Sequence, residues 1–369
     1  MSKKHPPTSR LRVGILTAGG DCPGLNAVIR AVAKKLILES NAEVIGIKDG
    51  YEGLIHNQHR RLDYADVSGI LTIGGTILGT SNIANPYRYA VRQGDTTKIK
   101  DLSRQTLQTF RELGLCCLVC IGGDGTMAIA NRLNQDGMPI VGVPKTIDND
   151  IRGTDITFGF NTAVAIATEG IDRVHTTAQS HHRVMIVEVM GRNAGWIALH
   201  AGIGSGGDII LLPEIPYQLK GIAAKVQERH TRGNRFSIIV VSEGSRPKGG
   251  QVVVSRLVKE STIQARLGGV GFVLGEQLEK LTGIETRTVV MGHLQRGGSP
   301  TAFDRVLATE LGTRAAEMIQ KKEYGYMVGM RGGTLVNVKL NITAQGPKTV
   351  PLDHSLIKAA RAVGTYFGD

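Results

Sequence analysis

Two stretches of this sequence carry the letters Gly-Gly-Asp, at residues 19–21 and 122–124, and each directly follows a short branched-apolar run. Placed between a strand and a helix, such a turn presents backbone N–H groups at a helix N-terminus, a natural cradle for phosphate. The second stretch continues as GGDGT through Thr126. Asp124 is placed there to hold Mg²⁺, a hard cation suited to carboxylate and phosphate oxygens. One apolar run later comes TIDND, residues 146–150. An acidic residue among hydroxyl and amide groups at that position is a candidate general base for a sugar hydroxyl. Arginines follow at Arg183, at Arg192 within MGR and at Arg296 within HLQRGG, and the planar guanidinium fork matches phosphate oxygens. Cradles, a cation site, a proton acceptor and positive charge are the parts that phosphoryl transfer needs.

The elements that must position these residues are legible as short apolar runs, each ending in a glycine-rich or polar cluster. They begin at Leu11, Cys116, Pro139, Arg183, Phe236 and Thr286. Continuous runs of this kind fit strands buried on both faces, as in parallel sheets. Helical patterns lie between them at 25–40, 98–113, 162–177 and 219–232. The alternation predicts a doubly wound α/β protein, with ligands at the carboxyl ends of the strands. Neither the GxGxxG dinucleotide fingerprint nor the GK[ST] of a P-loop is present.

Composition narrows the ligand class. The chain has 369 residues, with 48 glycines, 4% aromatics and one tryptophan, a poor inventory for stacking nucleic-acid bases. Its formal charge of +12 is spread along the chain, apart from a short cluster at residues 3–5. That distribution favours small phosphorylated metabolites over nucleic acid. No run reaches the roughly 18 apolar residues a membrane helix needs, and the first ten residues lack the apolar core of a signal peptide. A cytoplasmic location is the expectation. Cys116, Cys117 and Cys120 share one apolar run whose adjacent residues point to opposite faces; together with Cys22 they read as buried small hydrophobes rather than zinc ligands.

The series GILTAGGDCPGLNAVIR, GGDGT, PKTIDND, VEVMGRNAG and GHLQRGGSP closely resembles the bacterial-type phosphofructokinase family, in that family's order and spacing from Leu11 to Asp304. The resemblance implies transfer of a phosphoryl group to the 1-hydroxyl of fructose 6-phosphate. It implies two Rossmann-like three-layer α/β domains with parallel-rich sheets and the active site in the cleft between them. Residues 1–159 plus 273–322 would bind the phosphoryl donor, and residues 160–272 plus 323–369 the sugar phosphate. Gly19, Gly123, Asp124, Gly125 and Thr126 would line the donor, with Mg²⁺ on Asp124. Asp148 would be the base, beside Thr146 and Ile147. Met190, Gly191 and Arg192 would contact the sugar phosphate, Arg192 also stabilising the transferring charge. Glu243 would bond sugar hydroxyls, and His293, Leu294, Gln295 and Arg296 would hold the 6-phosphate. Arg183 and Arg287 would reach a neighbouring subunit's site, which implies a homotetramer or homodimer with shared active sites.

Three departures bear on the donor and on regulation. Lys145 resembles the pyrophosphate-dependent members of the family, whereas Gly125 does not, since pyrophosphate-specific members carry aspartate there. The pairing leaves ATP and pyrophosphate both open and favours ATP, because glycine leaves the nucleotide space open. Asn82 stands where familiar members have a donor-binding arginine, with Arg88 as a substitute, and His175 replaces a regulatory arginine, which implies weak control by ADP or phosphoenolpyruvate. Two rival readings are an NAD or lipid kinase sharing GGDGT and a non-catalytic sugar-phosphate sensor.

Overall fold

The computed structural model describes residues 10–94, 96–257 and 265–369; the basic cluster at 3–5 lies outside them. The amino-terminal part contributes β1 (Arg12–Thr17), β2 (Glu43–Ile47), β3 (His59–Leu62), β4 (Tyr89–Gln93) and β5 (Thr96–Lys100). Next come β6 (Cys117–Gly122), β7 (Ile140–Pro144), β8 (Val184–Val189), β9 (Ile209–Leu211) and β10 (Ser237–Ser242). The remainder supplies β11 (Val254–Leu257), β12 (Ala265–Leu267), β13 (Thr286–Val290), β14 (Tyr326–Arg331) and β15 (Thr334–Lys339). A seven-stranded sheet has the order β15-β14-β7-β6-β1-β2-β3, and a four-stranded sheet the order β13-β8-β10-β9. The smaller sheet is parallel throughout; in the larger one only the edge strands β3 and β15 run antiparallel.

Period-2 alternation sorts each buried strand onto two apolar layers. In β6, Cys117, Val119 and Ile121 join one core while Leu118 and Cys120 join the other, which is the sheet geometry that reads these cysteines as hydrophobes. The helices Leu25–Ser40 and Ala302–Gln320 cover the first face of the large sheet, and Ser103–Glu112 and Asp124–Gln135 cover the second. The first core runs on without a break beneath the helix Phe160–His181 into the inner face of the small sheet. The two sheets are thereby locked into one body with a cleft along the carboxyl ends of their strands.

That long central helix begins at a buried clamp. The Oδ2 of Asp304 accepts the Thr162 N–H at 2.8 Å and the Thr162 hydroxyl at 2.6 Å, and Asp304 is fully buried. Its carboxylate thus satisfies a first-turn donor of the central helix. Asp304→Ala leaves these donors unpaired in the interior, which costs about 2–3 kcal/mol. A urea titration of the variant should show an unfolding free energy lower by that amount, with an earlier midpoint and an unchanged slope.

The expected strands appear as β1, β6, β7, β8, β10 and β13, and the helix expected at 25–40 spans those residues. The helix expected at 98–113 begins later, at Ser103. Residues 96–100 instead complete a hairpin with β4, and the Asp101 carboxylate accepts the Ser103 N–H at 2.9 Å, which starts the helix there. Sheet membership also differs from the expected division of the chain. β13 pairs with β8 in the small sheet, and β14–β15 extend the large one beside β7. The helix Val270–Thr282 packs on the outer core of the small sheet and delivers β13 to that sheet's edge; the β14 hairpin turns at Gly332 and Gly333, both in left-handed conformation.

Candidate active site

The loop after β1 is held open by two cations. Gly19 sits at φ +83°, a region that glycine enters without strain. Its N–H donates to the Ser81 carbonyl at 3.0 Å, and its own carbonyl accepts from the Thr80 hydroxyl at 2.6 Å. Lys145, arriving from the end of β7, donates its ammonium to the Gly20 carbonyl. Arg296 donates from Nη1 to the Asp21 carbonyl at 3.0 Å, and a methyl at Gly20 would come within 2.8 Å of that nitrogen. Lys145 is 3% exposed, and burial pushes its pKa down.

The loop after β6 reaches the same cleft. Gly123 is extended, and the helix Asp124–Gln135 starts immediately after it. The amides of its first turn have no intrahelical acceptor and face forward, where the helix dipole favours anions. Gly122 must be small because a methyl there would lie 2.3 Å from Thr126, whereas an added methyl at Gly125 meets no atom within 4 Å. The mouth of this cradle is therefore open at Gly125.

TIDND folds back on itself. The Thr146 hydroxyl accepts the Asp148 N–H at 3.1 Å, and the Thr146 carbonyl accepts the Thr157 hydroxyl at 2.8 Å. Asn149 sits at φ +51°, a conformation that asparagine tolerates, and its Oδ1 accepts the Thr157 N–H at 3.0 Å. These bonds fix Asp148, whose Oδ1 is buried without a hydrogen-bond partner. Burial raises the Asp148 pKa and the nearby Asp124 raises it further, against the lowering influence of Arg296, Arg192 and Lys145. Asp150 is pushed up to about 8 by burial and then by Asp148.

From the small sheet, β8 and β10 end side by side. Arg192 is held at φ +49°, and its N–H donates to the Glu243 carboxylate at 3.1 Å. A methyl at Gly244 would lie 1.7 Å from the Arg192 carbonyl, so only glycine permits this approach. A backbone outlier braced from two sides is how strain persists at a functional loop. Burial, followed by Asp148, pushes Glu243 up to about 7.

Together these loops enclose a cavity of about 770 Å³. Of the residues singled out in the sequence, Gly19, Gly123, Asp124, Gly125, Thr126, Lys145, Thr146, Asp148, Met190, Arg192, Glu243, His293 and Arg296 line it. Gly191 lies just behind Arg192 without lining the wall. Ile147 is fully buried in the core, and Gln295 is also fully buried, its amide donating to the Gly292 carbonyl. Leu294 turns outward and is 69% exposed. Arg183 and Arg287 lie away from this chain's cleft, both paired with Glu285. Sequence reasoning left Asp150 without a role and missed an arm of the cavity lined by Ala84, Tyr87, Ile129 and Arg132, next to Arg88. Arg132 stacks on Tyr87 at 3.7 Å, a pairing between residues of two different elements that no local pattern announces.

Three cleft carboxyls hold protons that the unfolded chain would release, namely Asp148, Asp150 and Glu243. Between the ordinary carboxylate range and about pH 8 the folded state therefore binds more protons, so their contribution to stability falls as pH rises. Asp150→Asn should raise the melting temperature by a few degrees at pH 8 and change it little at pH 5. Thermal melts at the two pH values check this.

A backbone phosphate cradle, a buried orphan carboxylate and facing cations across an α/β cleft define a phosphoryl-transfer enzyme. The Phosphofructokinase family pattern matches residues 12–319, and the chain belongs to that family. It is 49% identical over 361 residues to the ATP-dependent 6-phosphofructokinase 2 of Clostridium perfringens, covering 97% of this chain and 98% of that protein. It is 47% identical over 344 residues to the pyrophosphate–fructose 6-phosphate 1-phosphotransferase of Amycolatopsis mediterranei, covering 93% of this chain and 97% of that protein. Among solved structures, Pichia pastoris phosphofructokinase in the T-state superposes with a TM-score of 0.78 at 27% identity, covering 98% of this chain and 38% of that one.

Proposed function

We infer that this chain is an ATP-dependent 6-phosphofructokinase, transferring a phosphoryl group to the 1-hydroxyl of fructose 6-phosphate. The observation that carries the reading is Asp148 Oδ1, a buried acceptor without a partner, in a residue that lines the same cavity as the phosphate cradle and Arg192. In this reading Asp148 accepts the hydroxyl proton as the oxygen attacks. Arg192, Arg296 and Lys145 stabilise charge on the transferring group without having to reorganise. Glu243 and Met190 orient the sugar, and His293 with Arg296 meets its phosphate.

The acidic groups fit a hard divalent cation. Among the described residues no group of three or more His, Cys, Asp or Glu forms a protein cage. Mg²⁺ is commonly bound by one or two carboxylates, with phosphate and water completing its shell. Asp124 would hold it, and Mg²⁺ would supply neutralisation of the donor phosphates. Among the described residues no helix is long and apolar enough to cross a membrane, which is compatible with a cytoplasmic enzyme. Assembly of two or four copies would carry the Arg183 and Arg287 of one copy toward the site of another.

ATP is favoured as donor by the open space at Gly125 and by the extension of the cavity lining to Tyr87, Arg88 and Arg132. Lys145, buried beside the Gly20 carbonyl, favours the pyrophosphate reading. Initial rates with fructose 6-phosphate and Mg²⁺, at matched ATP and pyrophosphate, decide between them. A strong preference for ATP is expected; equal or faster turnover with pyrophosphate would reassign the donor. Absence of turnover with either would remove the catalytic reading.

A further inference from the structure

The cleft is backed by a segment none of whose own residues lines the cavity. After β15, in the large sheet, the chain passes residues 340–350 and ends along the edge of the small sheet. There the Tyr366 N–H donates to the Asp208 carbonyl and the Ile210 N–H donates to the Tyr366 carbonyl. This crossing is gripped at Lys348. Its backbone N–H donates to the Asp150 carbonyl at 2.6 Å, and its ammonium donates to the Thr154 and Asp155 carbonyls, each at 2.9 Å. The same residue's carbonyl accepts the indole N–H of Trp196 at 2.9 Å, and its ammonium lies 5.4 Å from the Trp196 ring centroid. Two residues on, the Val350 N–H donates to the Glu214 carboxylate at 2.8 Å, and that carboxylate also accepts the Gly195 N–H at 3.0 Å.

These contacts join the rear of one loop to the rear of the other. Asp150 follows Asp148 by two residues, and Gly195 follows Arg192 by three. The proton acceptor and the arginine across the cleft are therefore referred to a common three-residue strap, anchored on both sides by directional bonds. Reacting groups tolerate little error in such a separation, since a displacement of about 1 Å can cost on the order of 100-fold in rate.

We propose that Lys348 is a positioning residue that sets the spacing between the Asp148 loop and the Arg192 loop. This rests on the phosphofructokinase reading above. Lys348→Met cuts three anchors to one on the base-loop side while keeping the apolar stem. Glu214→Ala releases the strap from the opposite side.

The test measures kcat and both KM values for the wild type, Lys348→Met, Lys348→Arg, Glu214→Ala and the Met/Ala double variant, with melting temperatures and Trp196 emission recorded on the same samples. Trp196 is the only tryptophan in the chain, so its emission reports the strap directly. The expected result is a kcat about tenfold lower for Lys348→Met well below its melting temperature, with the donor KM within twofold and a shifted emission. Arginine should recover most of the rate. The double variant should lose less than the product of the single losses, as expected for coupled contacts. Should Lys348→Met fail to fold, Glu214→Ala must show the same fall in kcat. A folded variant with a lower melting temperature and wild-type kcat would overturn the proposal. A wild type that does not phosphorylate fructose 6-phosphate would instead strike the functional reading.

Discussion

Asp148→Asn is expected to lower kcat by about 1000-fold while fructose 6-phosphate binding changes only a few-fold. Positioned general bases contribute about 10²–10⁴, and this base is unusually well placed. Its loop is fixed by Thr146, Asn149 and Thr157, and its Oδ1 waits unpartnered inside the cleft. Asparagine keeps the shape of the side chain while removing its ability to take a proton along with its negative charge, and the Arg192–Glu243 bond does not involve it. Burial already raises the Asp148 pKa, and three cations around it prevent a larger rise. It therefore binds a proton more readily than an exposed aspartate. Steady-state kinetics gives kcat, and calorimetry with fructose 6-phosphate gives the binding constant. A variant within tenfold of the wild-type kcat would move the base elsewhere, with Asp150 the next acid in the same wall.

Gly125→Asp is expected to reduce kcat/KM for ATP by about 100-fold without harming the fold. Gly125 is the second residue of its helix and has no neighbour within 4 Å of an added methyl. The first carbon of the new side chain thus meets no neighbour. A carboxylate in the first turn is also favoured by the helix dipole, by about 0.3–1 kcal/mol. The same carboxylate would stand in the open mouth of the phosphate cradle. There it would meet the donor's negative charge in a partly buried cleft, where like charges repel more strongly than in water. Gly125→Ala is the control, since it fills part of the space without adding charge, and should lose far less. Denaturation curves with rates on ATP and pyrophosphate separate the effects. An unimpaired response to ATP would show that the nucleotide does not lie across this helix start.

The sequence by itself determined the parts of this protein whose signal is local. A continuous apolar run reads as a parallel strand at any place in the chain, and the six runs identified this way all lie in the two main sheets, although β13, at a sheet edge, is left largely part-exposed rather than buried on both faces. The polar clusters at their ends were equally readable, because Gly-Gly-Asp, TIDND and MGR each complete their geometry within a few residues. Local signals were weaker where two periods compete. Residues 98–102 carry helical spacing, yet hairpin pairing with β4 and the Asp101 side chain delayed the helix to Ser103.

Only the tertiary structure decided what depends on distant partners. Ile147 and Gln295 sit within site motifs, but packing turned both into the core while their neighbours Asp148 and Arg296 faced the cleft. Tyr87 and Arg132, which line the cavity together with Gly125, meet from distant parts of the chain. β13 and β14 went to sheets that their position in the chain did not indicate, since strand pairing is settled by which edge is free and which helix covers it. Lys348 carries no motif at all. Its grip on Asp150, Thr154, Asp155 and Trp196 spans some 150–200 positions of sequence, a distance over which residue periodicity holds no information and only the folded packing brings the groups together.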